Sequence, residues 1–279
     1  MLCDIINTNI LVLGAITMVI DFHTHIFVDQ LAERAISFLE EKGNIKAYLD
    51  GTLSSLLVSM DNAGIDISIV QPVVTKPSQT ETVNSWAAEI RSERIIPFAG
   101  LHPDDADYKQ HIIQIREMGF KGIKMHPDYQ SFFVDEPRMF KIYDAIFENG
   151  LMLMLHAGLD VGFPPPYHCT PPRLANVLDT IKDGEFIAAH LGGHAMWDEV
   201  EDYLVGRNLC FDTSMGIEFY GVKRLERIVK AHGSDKLLFG SDSPWSSQSE
   251  ELNRMKNISI SQADLDNILY KTASKKLGL

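Results

Sequence analysis

Two histidines stand one residue apart at the end of a short apolar run, Val19-Ile20-Asp21-Phe22-His23-Thr24-His25. Alternate side chains of an extended chain share a face, so the run turns His23 and His25 one way and Phe22 and Thr24 the other. Neutral imidazole is the commonest nitrogen ligand of metals, and a pair aimed into one space starts a metal site. Later apolar runs end in the same residue types: His126, with Lys124 two residues before it, then His156, His190 and Asp242. Singly these are ordinary. A strand-ending histidine usually hydrogen-bonds within its loop, and an aspartate there caps a helix or forms a turn. Jointly, histidines and an aspartate from several strand ends point to one shared site.

What must position them is a regular alternation. Short runs rich in β-branched residues fall at 19–23, 67–71, 95–100, 122–126, 152–156, 186–190, 209–213 and 236–241. Stretches of helical period lie between them near 28–42, 82–92, 107–118, 137–149, 172–182, 197–205 and 218–232, with an added helix over 50–64 and helical pieces over 248–277. Eight strand–helix units predict a single (β/α)8 TIM barrel, whose catalytic groups project from the C-terminal strand ends. An open doubly wound sheet is the runner-up, weakened because no glycine-rich phosphate loop follows the first strand. By the strand-end rule, His111 and His232 fall on helices and are expected at the surface.

The chain has 279 residues, 45% hydrophobic and 23% charged, within the range of one large soluble domain. With no internal repeat or long linker, residues 18–279 read as one barrel. Residues 1–17 read as a leader or extra N-terminal segment, too short in its apolar part to cross a membrane. A net charge of −13 argues against nucleic acid or an anionic membrane as partner. Three scattered cysteines, Cys3, Cys169 and Cys210, suit a reducing cytoplasm rather than a disulfide framework.

The motifs IDFHTH, GIKMHP, LHAG, AHLGG and LLFGSDSPW, in that order from Met18 onward, resemble the amidohydrolase superfamily. They resemble in particular its amidohydrolase-2 branch, which includes aminocarboxymuconate-semialdehyde decarboxylase and γ-resorcylate decarboxylase beside true hydrolases. The resemblance implies one divalent metal ion, zinc first, held by His23, His25, His156 and Asp242, with His190 facing the substrate. Binuclear relatives carry a carboxylated lysine near the place of Lys124; in a mononuclear site that amine is free to hold a substrate anion. TatD-type nucleases share the opening motif but add a glutamate ligand from a middle strand, and neither Ala99-Gly100-Leu101 nor Ile123-Lys124-Met125 offers such a carboxylate, which disfavours that reading.

Two reactions suit such a shell. The leading expectation is hydrolysis of an amide, ester or lactone in a small molecule. There the metal lowers the pKa of its water from 15.7 towards about 7, Asp242 takes the water's proton, and His190 donates a hydrogen bond to the carbonyl oxygen. The alternative is non-oxidative decarboxylation of a small unsaturated or aromatic acid. Lys124, His126, His168 and Arg173 are the candidate substrate-binding residues, the last two from the proline-rich loop 158–173. Partners are thus a small-molecule substrate, with neither nucleic acid nor membrane, and the resemblance leaves a homodimer open.

Overall fold

The computed structural model describes residues 18–279; the expected leader 1–17, with Cys3, lies outside the described residues. Eight strands follow in chain order: β1 (Ile20–Thr24), β2 (Ile67–Val70), β3 (Ile95–Pro97, resuming as Ala99–Gly100), β4 (Gly122–Met125), β5 (Met152–Leu155), β6 (Phe186–Ala188), β7 (Cys210–Asp212) and β8 (Leu237–Leu238). Each pairs in parallel with the next. The end then returns to the start. The Phe22 amide donates to the Phe239 carbonyl at 2.7 Å, Asp242 to His23 at 2.8 Å, and His25 to Ser243 at 2.6 Å. These bonds close the sheet into the (β/α)8 barrel predicted from the alternation, and the open-sheet reading falls.

Side chains fill the cylinder. Ile20, Phe22, Ile69, Phe98, Met154, Ile187 and Leu238 make one buried cluster drawn from successive strands. A Cβ on Gly122 would lie 2.4 Å from the Phe98 ring, so glycine at the start of β4 is what leaves Phe98 its place. A larger apolar layer, including Leu56, Ile123, Leu153 and Phe211, joins the strands to the helices.

The helices lie close to their expected positions. Leu53–Ala63 begins where the Thr52 hydroxyl accepts the Ser55 amide at 3.2 Å and ends at left-handed Gly64. The stretch expected as one helix over 218–232 is two, Ile217–Tyr220 and Val222–His232. They are separated by Gly221 at φ 80° and ψ 145°, which no helix accommodates.

His232 corrects the surface expectation. It continues the inward stripe of Leu225, Ile228 and Val229 at helical spacing. Its Nδ1 accepts the Gly206 amide at 2.9 Å, its Nε2 donates to the Leu209 carbonyl at 3.0 Å, and its ring stacks on Phe211. Burial pushes it down to about 4. His111 is half-buried as well, with Nδ1 2.6 Å from the Asp105 carboxylate.

Candidate metal centre

The C-terminal ends of β1, β4, β5, β6, β7 and β8 meet at one mouth of the barrel. Strict alternation does not hold at the end of β1. Its register with β2 shifts between Asp21 and Thr24. Phe22 thereby stays inside the barrel, edge-on to Phe98, while His23 also turns inward. Asp242 reaches the same place from β8 with a left-handed backbone, φ 69°, and its amide bonded to the His23 carbonyl.

Three ligand atoms converge there. His23 Nε2 and His25 Nε2 stand 3.0 Å apart, and Asp242 Oδ1 lies 3.3 Å from each. Donor atoms about 2.1 Å from a common ion at tetrahedral angles would stand ~3.4 Å apart, so the triangle has the right size. The protons bear on what it can hold. His25 Nδ1 lies 2.8 Å from the Gln71 carbonyl and His23 Nδ1 lies 2.9 Å from the Asp212 carboxylate. Both partners only accept, so both imidazoles carry their proton on Nδ1 and turn a lone pair inward. Burial, then the Lys124 charge, holds His23 below its ordinary range and therefore neutral. Two lone pairs and a carboxyl oxygen turned towards one another suit a cation, with the Lys124 amine a donor at the same edge, 3.4 Å from His23 Nε2. These three residues fit a divalent metal.

His156 stands outside that triangle. Its Nδ1 faces His190 Nε2 at 3.0 Å, and its Nε2 is buried with no hydrogen-bond partner among the described residues. His126 stacks on it with ring centres 4.1 Å apart. His126, His156 and Asp160 form another group of potential ligands, but its chemistry differs. The Tyr129 amide points at His126 Nδ1 at 3.5 Å, so the His126 proton sits on Nε2, directed at the Asp160 carboxylate 3.2 Å away. That proton already does what a cation would do.

Lys124 is fully buried, with Nζ 3.4 Å from His23 Nε2. Burial lowers its amine to about 8, against the opposing pull of Asp212 and Asp242. His190 presents Nδ1 to the Ser214 hydroxyl at 2.8 Å; burial and the neighbouring His156 hold it well below the imidazole range. The loop after β5 is pinned down. Gly158 takes φ 88° where a Cβ would lie 2.1 Å from the His194 nitrogen, and Lys42 Nζ sits 3.5 Å over the Phe163 ring. The outer pair of candidates is committed elsewhere: His168 Nδ1 lies 2.6 Å from Asp128, and the Arg173 guanidinium binds Asp135 at 2.6 Å over the Phe133 ring.

Asp212 and Ser214 escaped the sequence reading. The signal was there: Cys210, Asp212 and Ser214 alternate through the end of the seventh strand, the position that placed the other candidates. Asp212 accepts from His23, from the His190 and Ser214 amides and from the Ser214 hydroxyl.

Among solved structures, the chain is similar to a 2,6-dihydroxybenzoate decarboxylase from Rhizobium, with TM-score 0.70, 18% identity, and coverage of 94% of this chain and 99% of that one. It is also similar to a 5-carboxyvanillate decarboxylase from Sphingomonas paucimobilis, with TM-score 0.72, 12% identity and coverage of 94% and 99%. A third is a dihydroxybenzoic acid decarboxylase from Polaromonas with bound manganese and the inhibitor 2-nitroresorcinol, with TM-score 0.72, 17% identity and coverage of 94% and 97%. No curated protein matches. The predominance of decarboxylases overturns hydrolysis as the leading expectation. The motifs behind that expectation specify only the barrel-mouth residues common to both chemistries, and so do not choose between them. Residues 20–279 match the amidohydrolase family model over nearly the whole described barrel, and the chain belongs to the amidohydrolase-2 branch of the amidohydrolase superfamily.

Proposed function

We propose that this protein is a metal-dependent, non-oxidative decarboxylase of a small aromatic or unsaturated acid. The observation that carries the reading is the placement of an amine and a carboxyl group against one imidazole edge: Lys124 Nζ at 3.4 Å and Asp242 Oδ1 at 3.3 Å from His23 Nε2. An ammonium buried at this depth is a partner for an anionic substrate, and a carboxyl group beside it is a proton carrier. The decarboxylase neighbours support the same choice.

His23, His25 and Asp242 hold the cation, with His156 the reserve ligand once its ring turns from His190. When bound, the ion neutralises and orients the oxygens of the acid. Lys124 pairs with the substrate anion. Asp242 takes up the acidic proton that the bound substrate brings and delivers it to the carbon bearing the carboxylate. As the carbon–carbon bond breaks, its electron pair takes up that proton and carbon dioxide leaves. His190, at the same wall, exchanges a proton with the bound acid. His126 and the pinned loop close the outer side; the buried setting keeps water from competing for the developing charge. His168 and Arg173, held by Asp128 and Asp135, shape the rim.

The test is to load metal-free protein with zinc or manganese and offer a panel of hydroxybenzoates and unsaturated acids. The assay follows carbon dioxide release and uptake of solvent deuterium at the vacated carbon. Zinc suits the nitrogen-rich donor set, and manganese is bound in two of the similar decarboxylases; metal analysis of protein purified without added metal separates them. Opening of lactones with no carbon dioxide from any acid would sink the proposal.

A further inference from the structure

Ser214, two residues past β7 and fully buried, meets three polar groups at once. Its hydroxyl lies 2.8 Å from His190 Nδ1, 3.0 Å from His23 Nδ1 and within hydrogen-bond reach of Asp212 Oδ1. A serine hydroxyl has one proton to give. Asp212 only accepts while ionised. Its Oδ1 takes the amide hydrogens of His190 at 3.2 Å and Ser214 at 2.9 Å, and its Oδ2 faces His23 Nδ1 at 2.9 Å, so its other neighbours also call on it to accept. The Ser214 proton therefore goes to Asp212. The serine oxygen is left to accept, and His190 must meet it with a proton on Nδ1.

We propose that Ser214, anchored by Asp212, is a positioning residue that keeps His190 in the Nδ1–H tautomer and so leaves its Nε2 unprotonated, turned to His156. Sequence reasoning gives His190 the part of a hydrogen-bond donor to a substrate oxygen. In this tautomer it enters as an acceptor, and must take a proton before it can give one. His156 Nδ1, 3.0 Å from His190 Nε2, is then the donor of that pair.

The backbone supports the same aim. His190 and Leu191 have φ of 58° and 54°, a left-handed conformation unfavourable for a residue with a Cβ. Such strain persists where surroundings over-determine the position. Here the His190 amide donates to Asp212 Oδ1 at 3.2 Å, and its carbonyl accepts from Trp197 Nε1 at 3.1 Å. The backbone aims the ring, and Ser214 decides which nitrogen carries the hydrogen. The assignment stands apart from the reaction, because it concerns the resting protein.

The experiment is long-range proton–nitrogen NMR on protein labelled with nitrogen-15 in histidine, metal-free and zinc-loaded, near pH 8, where ordinary imidazoles of pKa about 6.5 are neutral. The His190 signals are identified by their loss in His190→Gln. Wild type is expected to show a protonated Nδ1 and a bare Nε2. Ser214→Ala should shift the ring towards Nε2–H or a mixture, and Ser214→Thr, which keeps the hydroxyl, should restore it. If decarboxylation is found, Ser214→Ala should lower kcat at least tenfold with little change in KM. A wild-type ring already protonated on Nε2, or no change of tautomer in Ser214→Ala, overturns the proposal whether or not any acid is decarboxylated. A urea midpoint near wild type shows that a shifted tautomer is not the signature of an unfolded variant.

Discussion

Asp212→Asn keeps a side chain's shape and exchanges one accepting oxygen for a donating NH2. Both oxygens are in use: Oδ2 faces His23 Nδ1 at 2.9 Å, while Oδ1 takes the amides of His190 at 3.2 Å and Ser214 at 2.9 Å as well as the Ser214 hydroxyl. With several donors gathered at Oδ1, the amide oxygen of the variant stays there and its NH2 meets His23 Nδ1. Two donors cannot face each other. His23 then changes tautomer, and its proton moves to Nε2, aimed at His25 Nε2 and Asp242 Oδ1, 3.0 and 3.3 Å away. A metal would have to restore the original tautomer against the loss of a hydrogen bond to a charged group, about 1.5–3 kcal/mol. That is a roughly 10- to 100-fold weaker affinity, the range typical of changes one step beyond a metal's ligands. Competition against a chromogenic chelator, on samples with matched urea midpoints, measures it. An affinity within about twofold of wild type, with the fold intact, would refute the claim that Asp212 sets the His23 tautomer.

The other predictions are separable. His23→Ala and Asp242→Ala should each abolish stoichiometric metal. His190→Ala should retain it and lose about 10²- to 10⁴-fold in turnover; metal loss in that variant would place His190 among the ligands. Lys124 is lowered to about 8 by burial, and it is the protonated form that holds an anion. Hence kcat/KM for an acid substrate should fall as pH rises through about 8, and Lys124→Met should bind the acid weakly and lose this limb. An unchanged pH profile in Lys124→Met would remove the amine from substrate binding. Gly158→Ala puts a Cβ 2.1 Å from the His194 nitrogen at φ 88°, so urea denaturation should report at least ~2 kcal/mol of lost stability. A loss below ~0.5 kcal/mol would mean that the loop after β5 is free to move.

The barrel could be read from the chain because its determinants are local. Apolar runs of strand length alternate with stripes of helical period, and Gly64 or the Pro137 helix start mark boundaries within a few residues. The same locality placed His23, His25, His156, His190 and Asp242 at strand ends. What the chain could not reveal is which of those ends meet at bonding distance, since that depends on register. The shift between Asp21 and Thr24, and the left-handed turns at His190 and Asp242, are relations between strands distant in sequence. They draw His23, His25 and Asp242 into one triangle and leave His156 facing His190. Proton placement is further still from sequence. The tautomers of His23 and His190 are decided by Asp212 and Ser214, about 190 and 24 residues away, because a ring nitrogen's lone pair is set by whatever acceptor packing brings to the opposite side.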